Sequence, residues 1–244
     1  MIDTSATSLE FATARPELAF LPVGACEQHF GILPLNTDIR QSQKLAGDIA
    51  SHFNSYLLPC IPFGTSLENT GVGGTLSLMP STLAAVVGDL VDSLYRQGFE
   101  IVVIVNSHGG NFILRPTVRQ INYLNPGRKT IFVDPWENVP HRQAAEIFEG
   151  SNELHCGEVE LSVMLHLFPE VVRSEYITDG NPEAERMELD MFSIPLLSGG
   201  KPWGLATRAT AEKGRRFYEL MIQHSVAYID KIIQRHRKHP SYHG

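Results

Sequence analysis

Along the 244-residue chain the apolar positions switch repeatedly between a continuous or alternating spacing and a helical one, and this switching predicts the architecture. Residues 18–23 (Leu-Ala-Phe-Leu-Pro-Val), 56–61 and 130–134 read as buried strands. Residues 101–105 form a continuous β-branched run of the kind found in parallel sheets covered on both faces. Pro22 cannot donate to a ladder, which places the first of these strands at a sheet edge or a strand end. Helical spacing predicts helices over 40–53 (Leu45, Ala46, Ile49, Phe53), 81–97 (Leu83, Val86, Val87, Leu90, Val91, Leu94), 114–124 and 141–149. Ser81 is the expected N-cap of the second helix and Gly98 its stop. A short buried helix over 158–168 ends at Pro169, and Thr210 caps a long last helix with a stripe of Phe217, Leu220, Met221, Val226, Ile229 and Ile232. Strands and helices alternate, so the expected fold is α/β: a single three-layer α/β/α domain, 1–244, with a mostly parallel central sheet.

Three stretches break this rhythm. Residues 1–17 mix small and polar types and read as a lead-in or a short helix. Residues 62–80 are rich in Gly, Ser and Thr and too long for an ordinary connection, a feature of functional loops. Residues 173–203 carry weak periodicity with several Pro and Gly, the pattern of an irregular excursion over the surface.

Composition narrows the class. A hydrophobic content of 43% suffices for a sizeable core. No apolar run approaches the roughly 18 to 20 residues that span a bilayer, and the N-terminus lacks signal-peptide character, so a cytoplasmic protein is expected. The net charge of −7 comes without a long basic stripe, which leaves no electrostatic footprint for nucleic acid. The basic residues between 235 and 239 suit a solvated helix C-terminus. Cys26, Cys60 and Cys156 match no disulfide or zinc-ribbon spacing and read as reduced packing residues.

Candidate chemistry gathers in three places. In the segment 24–38, Glu27 and His29 are two residues apart and project to one side of an extended backbone, and the loop through Pro34 would have to return Asp38 to them. His108 follows the strand 101–105 directly, where open α/β sheets form ligand sites. Its neighbours Gly109 and Gly110 permit close backbone approach and offer free N–H groups, while Asn106 and Asn111 can fix the loop; a histidine merely satisfied in a Gly-rich turn is the alternative. In 155–160 (His-Cys-Gly-Glu-Val-Glu), Glu158 and Glu160 differ by about 200° around a helix, so only one of them is expected to face the interior. An inward Glu160 would need a cation partner, whereas Glu158 suits the positive helix N-terminus. Ser66 and Glu68 in the long loop are candidates for substrate contact, and Asp134 reads as a turn or cap residue at the end of a strand.

Together the segments 24–38, 106–111 and 155–165, with 74–77 and 209–214, resemble the creatininase family in order and spacing over nearly the whole chain. That resemblance implies a dinuclear divalent-metal site, with Glu27 and His108 on one ion, His29 on the other, Asp38 bridging, and His155 alongside as a proton-handling or substrate-binding residue. Creatininase itself carries a glutamate ligand two residues after the histidine that His108 matches, where this chain has Gly110. The deformylase-like and mycofactocin-peptidase-like members suggest that Glu160 fills the gap. A Trp and a Glu used around creatinine are replaced by Ser151 and Leu154, which argues against creatinine as substrate. Two ions about 3.5 to 4 Å apart would hold a bridging hydroxide for attack on an amide carbonyl. Backbone N–H groups of Gly109 and Gly110 would aid the oxyanion, and His155 would protonate the leaving nitrogen. Mixed imidazole and carboxylate ligands suit Zn²⁺, Mn²⁺ or Fe²⁺. The expected substrate is a small cyclic amide or formamide; a short modified peptide and a non-catalytic metal-stabilised binding role are the alternatives. The resemblance further implies a homo-oligomer, hexamers being common in the family.

Overall fold

The computed structural model describes residues 1–150 and 153–240. In chain order its main elements are β1 (Ile2–Asp3), α1 (Ser8–Ala14), β2 (Leu18–Val23), α2 (Thr37–Ala50), β3 (Ser55–Leu57), α3 (Pro80–Arg96) and β4 (Ile101–Asn106). They continue with α4 (Leu114–Leu124), β5 (Lys129–Val133), α5 (Pro135–Asn138), α6 (His141–Ala145), α7 (Glu158–Leu167), α8 (Ile194–Ser198) and α9 (Ala211–Lys238). The strands pair in parallel in the order β1-β3-β2-β4-β5.

The period of two along the central strands explains the layering. Leu18 and Phe20 of β2, with Ile101, Val103 and Val105 of β4, face a core built with α2, α7 and α9. Ala19 and Val23, with Val102 and Ile104, face the opposite core under α3 and α4. Both faces of the sheet are therefore apolar, which is why these strands read as continuous hydrophobic runs. After β3 is laid on one side of β2, the chain returns to place β4 on the other. This reversal opens a crevice at the carboxyl ends of β2 and β4, the place where such sheets bind ligands.

Several local expectations give way to the structure. Pro22 lies in a central strand, opposite Val105. Its carbonyl accepts from Ile61 N, so its missing donor faces the side on which β3 has already ended at Leu57. Helix α3 begins at Pro80 with Met79 as N-cap, because proline's fixed φ suits the first helical position; Ser81 lies inside the helix. The helix expected over 141–149 stops at Ala145, since the N–H groups of Glu149 and Gly150 turn away to the Glu158 carboxylate. The lead-in contains the short strand β1 as well as α1. Thr210 does cap α9, its hydroxyl accepting from Lys213 N. Among the described residues no helix is long and apolar enough to cross a membrane.

Candidate metal centre

Glu27 and His29 leave the end of β2, Asp38 stands in the first turn of α2, His108 follows β4, and Glu160 projects from the first turn of α7. Their side chains converge. His108 Nδ1 lies 3.1 Å from Asp38 Oδ2 and 3.3 Å from Glu27 Oε1. His29 Nε2 lies 3.6 Å from Asp38 Oδ1 and 3.3 Å from Glu160 Oε1. Two donors about 2.1 Å from one cation, at angles of about 90° to 110°, stand about 3.0 to 3.4 Å apart. Three of these four spacings fall in that range and the His29–Asp38 spacing of 3.6 Å is slightly longer, an arrangement that could hold ions.

Each far atom is tied down by the protein. His29 Nδ1 donates to Glu27 O at 3.1 Å and His108 Nε2 to Thr65 O at 2.9 Å, so the other ring nitrogen of each is the one a cation would meet, once its proton is displaced. Asn69 Nδ2 donates to Glu27 Oε2 and Cys156 N to Glu160 Oε2, so in both carboxylates one oxygen is held and the other is directed at the centre. Asp38 Oδ2 is buried and makes no hydrogen bond of good geometry, its polar neighbour being His108 Nδ1 at 3.1 Å, so a cation between the two would satisfy both. Phe30 and Cys156, directly after His29 and His155, adopt left-handed backbone (φ 53° and 55°), the local strain that accompanies site geometry.

The electrostatics tell the same story. Burial works against protonation of His29 and His108, yet Glu160 and Asp38 beside the first, and Glu27 and Asp38 beside the second, hold both well above the ordinary imidazole range. Burial would raise Glu160, but the charge of His29 and its hydrogen bond hold it down at about 2. Burial likewise opposes ionisation of Glu27 and Asp38, and His108 overcomes it in both. Without a cation, protons on the imidazoles balance three buried carboxylates; a metal ion would displace them.

Creatinine amidohydrolase, the description of the creatininase family, matches residues 3–229 of this chain. The chain belongs to the creatininase family. Mycofactocin precursor peptide peptidase of Mycobacterium ulcerans (strain Agy99) is 30% identical over 240 residues, covering 92% of this chain and 89% of that protein. Creatinine amidohydrolase of Pseudomonas putida is 29% identical over 221 residues, covering 83% and 85%. A creatininase variant complexed with creatine shares the fold, with a TM-score of 0.81 at 22% identity over 94% of this chain and 97% of that one.

Against the creatininase pattern, Gly110 has a direct physical cause. A Cβ there would overlap the Glu68 carboxylate, the Thr65 carbonyl oxygen and the ring of His108, so the long loop leaves no space for a side chain. Glu68 Oε1 comes to 3.9 Å from His108 Nε2 and Ser66 Oγ to 3.3 Å, which sets both behind the ring, on the side away from Asp38. Glu27, Glu68 and His108 form a further group whose ligand atoms are close enough to hold an ion, as do Glu27, His29 and His155. Both carboxylates of α7 turn inward, contrary to the expectation that only one could: Glu160 is partly buried against His29, and Glu158 is fully buried, paired with Lys213 rather than left at the helix end.

A cavity of about 410 Å³ opens over the centre, within the usual range for small ligands. Glu27, Asp38, His108, Gly109, His155 and Glu160 line it, whereas His29, Ser66, Glu68 and Gly110 do not. Its outer wall holds Phe112, Arg115, Asp134, Trp136, Leu154 and Arg186. Asp134 is the N-cap of α5, accepting from Trp136 N and Glu137 N, and also faces this cavity. Ser151 lies outside the described residues. The supporting Asn69 and the wall residue Arg186 carry no signal in the sequence, since one is a polar residue in a Gly-rich loop and the other sits in the aperiodic excursion. The amides of Asn106 and Asn111 do fix the His108 loop, through His108 O, Gly24 O and Thr65 N. The three thiols are unpaired, and burial raises the pKa of each, so none supplies a thiolate at neutral pH.

Proposed function

We propose that the chain is a two-cation amidohydrolase acting on a non-peptide C–N bond of a small cyclic amide or formamide. The observation that carries this reading is the division of Asp38 between two donor sets, Oδ2 with Glu27 and His108 and Oδ1 with His29 and Glu160. Glu160 takes the place that a side chain at position 110 cannot fill. Creatininase is known in manganese and zinc–zinc forms, which supports Zn²⁺ or Mn²⁺ here, and Fe²⁺ suits the same ligands. Such a cation pair supplies a hydroxide nucleophile at neutral pH and polarises the carbonyl.

The chain's own groups do the rest. His155 Nε2 donates to Gln28 O at 2.8 Å, which leaves Nδ1 as the lone pair, 3.6 Å from Glu27 Oε1 and on the cavity wall. That atom can take a proton from the attacking water and return it to the leaving nitrogen. Gly109 N–H, beside His108 on the same wall, is the candidate donor to the developing oxyanion. Ser66, Glu68 and Gly110 serve in this reading by fixing the His108 ring rather than by touching substrate.

A second reading, cleavage of a short modified peptide, draws on the Mycobacterium ulcerans relative. Zinc- or manganese-loaded protein tested on cyclic amides, formamides and short peptides separates the two. Turnover of the first groups is expected, with His155→Ala lowering kcat by about 10²- to 10⁴-fold at unchanged metal content. Turnover confined to peptides favours the second reading, and full kcat in the His155 variant removes the assigned proton path.

A further inference from the structure

We infer that Arg186 anchors a carboxylate of the substrate, so that the amide cleaved here belongs to a molecule carrying a free acid group. The inference rests on the amidohydrolase reading and names its substrate class. Arg186 begins a short 3₁₀ turn, Arg186–Asp190, in the excursion that passes over the site. Its guanidinium reaches the His108 turn: Nη2 lies 3.5 Å from where a Cβ on Gly109 would stand, one residue from a proposed ligand. It lines the same cavity as Glu27, Asp38 and His155.

Arg186 is exposed at the rim of this cavity, and two features bear on its role there. The other arginine on the wall, Arg115, is already committed, paired with Glu137 and lying over the Phe132 ring at 4.6 Å. Arg186 has no hydrogen bond or ion pair among the described residues, although its turn is flanked by Glu185 and Glu188, which satisfy each other's backbone N–H in a capping box. A fork of unused donors at the rim of a cavity with proposed cations at its floor matches a ligand with an amide at one end and an anion at the other. One guanidinium offers two parallel N–H groups, the geometry of a carboxylate. Asp134, Glu137 and Glu153 on the same wall oppose any anion, and oppose a phosphate dianion about twice as strongly as a singly charged carboxylate.

The carboxylate could belong to a small N-acyl amino acid or to the C-terminus of a short peptide. Paired probes distinguish these sources: N-formylglycine against N-formylglycinamide, and trialanine against trialanine amide. Binding to the zinc-loaded protein by isothermal titration calorimetry reads the inference without depending on turnover, and release of formate or amine from the same probes reads the underlying reaction. In at least one pair the free acid is expected to bind about 10- to 100-fold more tightly than its capped partner, the range for a charge-assisted bond. The pair that shows the preference identifies the source. Arg186→Gln should bring that ratio to within about twofold, and Arg186→Lys should keep part of it, since a point charge lacks the fork. Equal or undetectable binding within both pairs overturns the inference, as does a preference that survives in Arg186→Gln, which would place the carboxylate on the metal centre. Absence of turnover with the preference intact counts against the amidohydrolase reading and leaves Arg186 as a carboxylate site.

Discussion

Asp38 sits in the first turn of α2, where the helix dipole favours an anion, and its 2% exposure leaves no water to compensate its charge. A buried carboxylate between two imidazoles at 3.1 and 3.6 Å is costly unless protons on those rings or a cation between them balance its charge. Asp134 poses a different problem on the outer wall. Burial, with Glu137 adding to it, raises its carboxyl to about 6. The folded protein therefore holds this proton more tightly than the unfolded chain. Burial costs little below the unfolded value of 3.8 and destabilises increasingly as pH rises through about 6. Asp134→Asn keeps an acceptor for Trp136 N and Glu137 N and removes the charge. Its stability relative to wild type should improve by on the order of 2 kcal/mol between pH 4 and pH 7.5, measured by urea denaturation; a difference independent of pH would refute the assignment. At this scale Glu27, His29 and His108 were legible from position after strands. Asn69 and Arg186 were not, because a long loop and an aperiodic segment give no period from which to place a side chain.

Among the elements, the packing of α7 against α9 holds Glu160 in place. Gly214 of α9 lies against the Ser162 backbone of α7, closer than any side chain would permit. One residue before it, Lys213 pairs with the fully buried Glu158, which also accepts from Glu149 N at 2.9 Å and Gly150 N at 2.8 Å. Lys213→Met leaves that carboxylate without its cation and should cost about 3 to 5 kcal/mol in urea denaturation, with much of the loss recovered in Lys213→Met/Glu158→Gln. A loss below about 1 kcal/mol would show the pair to be a solvated contact. The alternation of strands and helices could be read from the sequence because both faces of β2 and β4 are covered. The ends of elements were less legible: Pro22 was tolerated where its neighbour strand stops, and side-chain acceptors from distant segments ended the 141–145 helix early.

For the molecule as a whole, the order β1-β3-β2-β4-β5 sets the candidate site at the reversal of the sheet, with the candidate ligands coming from the ends of β2 and β4 and the starts of α2 and α7. Metal binding should therefore tie together segments far apart in sequence and stabilise the folded state by mass action. Chelation is expected to lower Tm by several degrees and restoration of Zn²⁺ or Mn²⁺ to recover it; a Tm insensitive to chelator in protein shown to lose its metal would contradict that coupling. The most direct test of the shared centre is the metal content per chain of wild type, Glu160→Ala and Asp38→Ala after equilibration with Zn²⁺ and removal of free ion. About two, one and none are the expected values if Asp38 bridges and Glu160 serves one ion. A wild-type value of one or less, or two ions retained in Asp38→Ala, would contradict the two-cation centre.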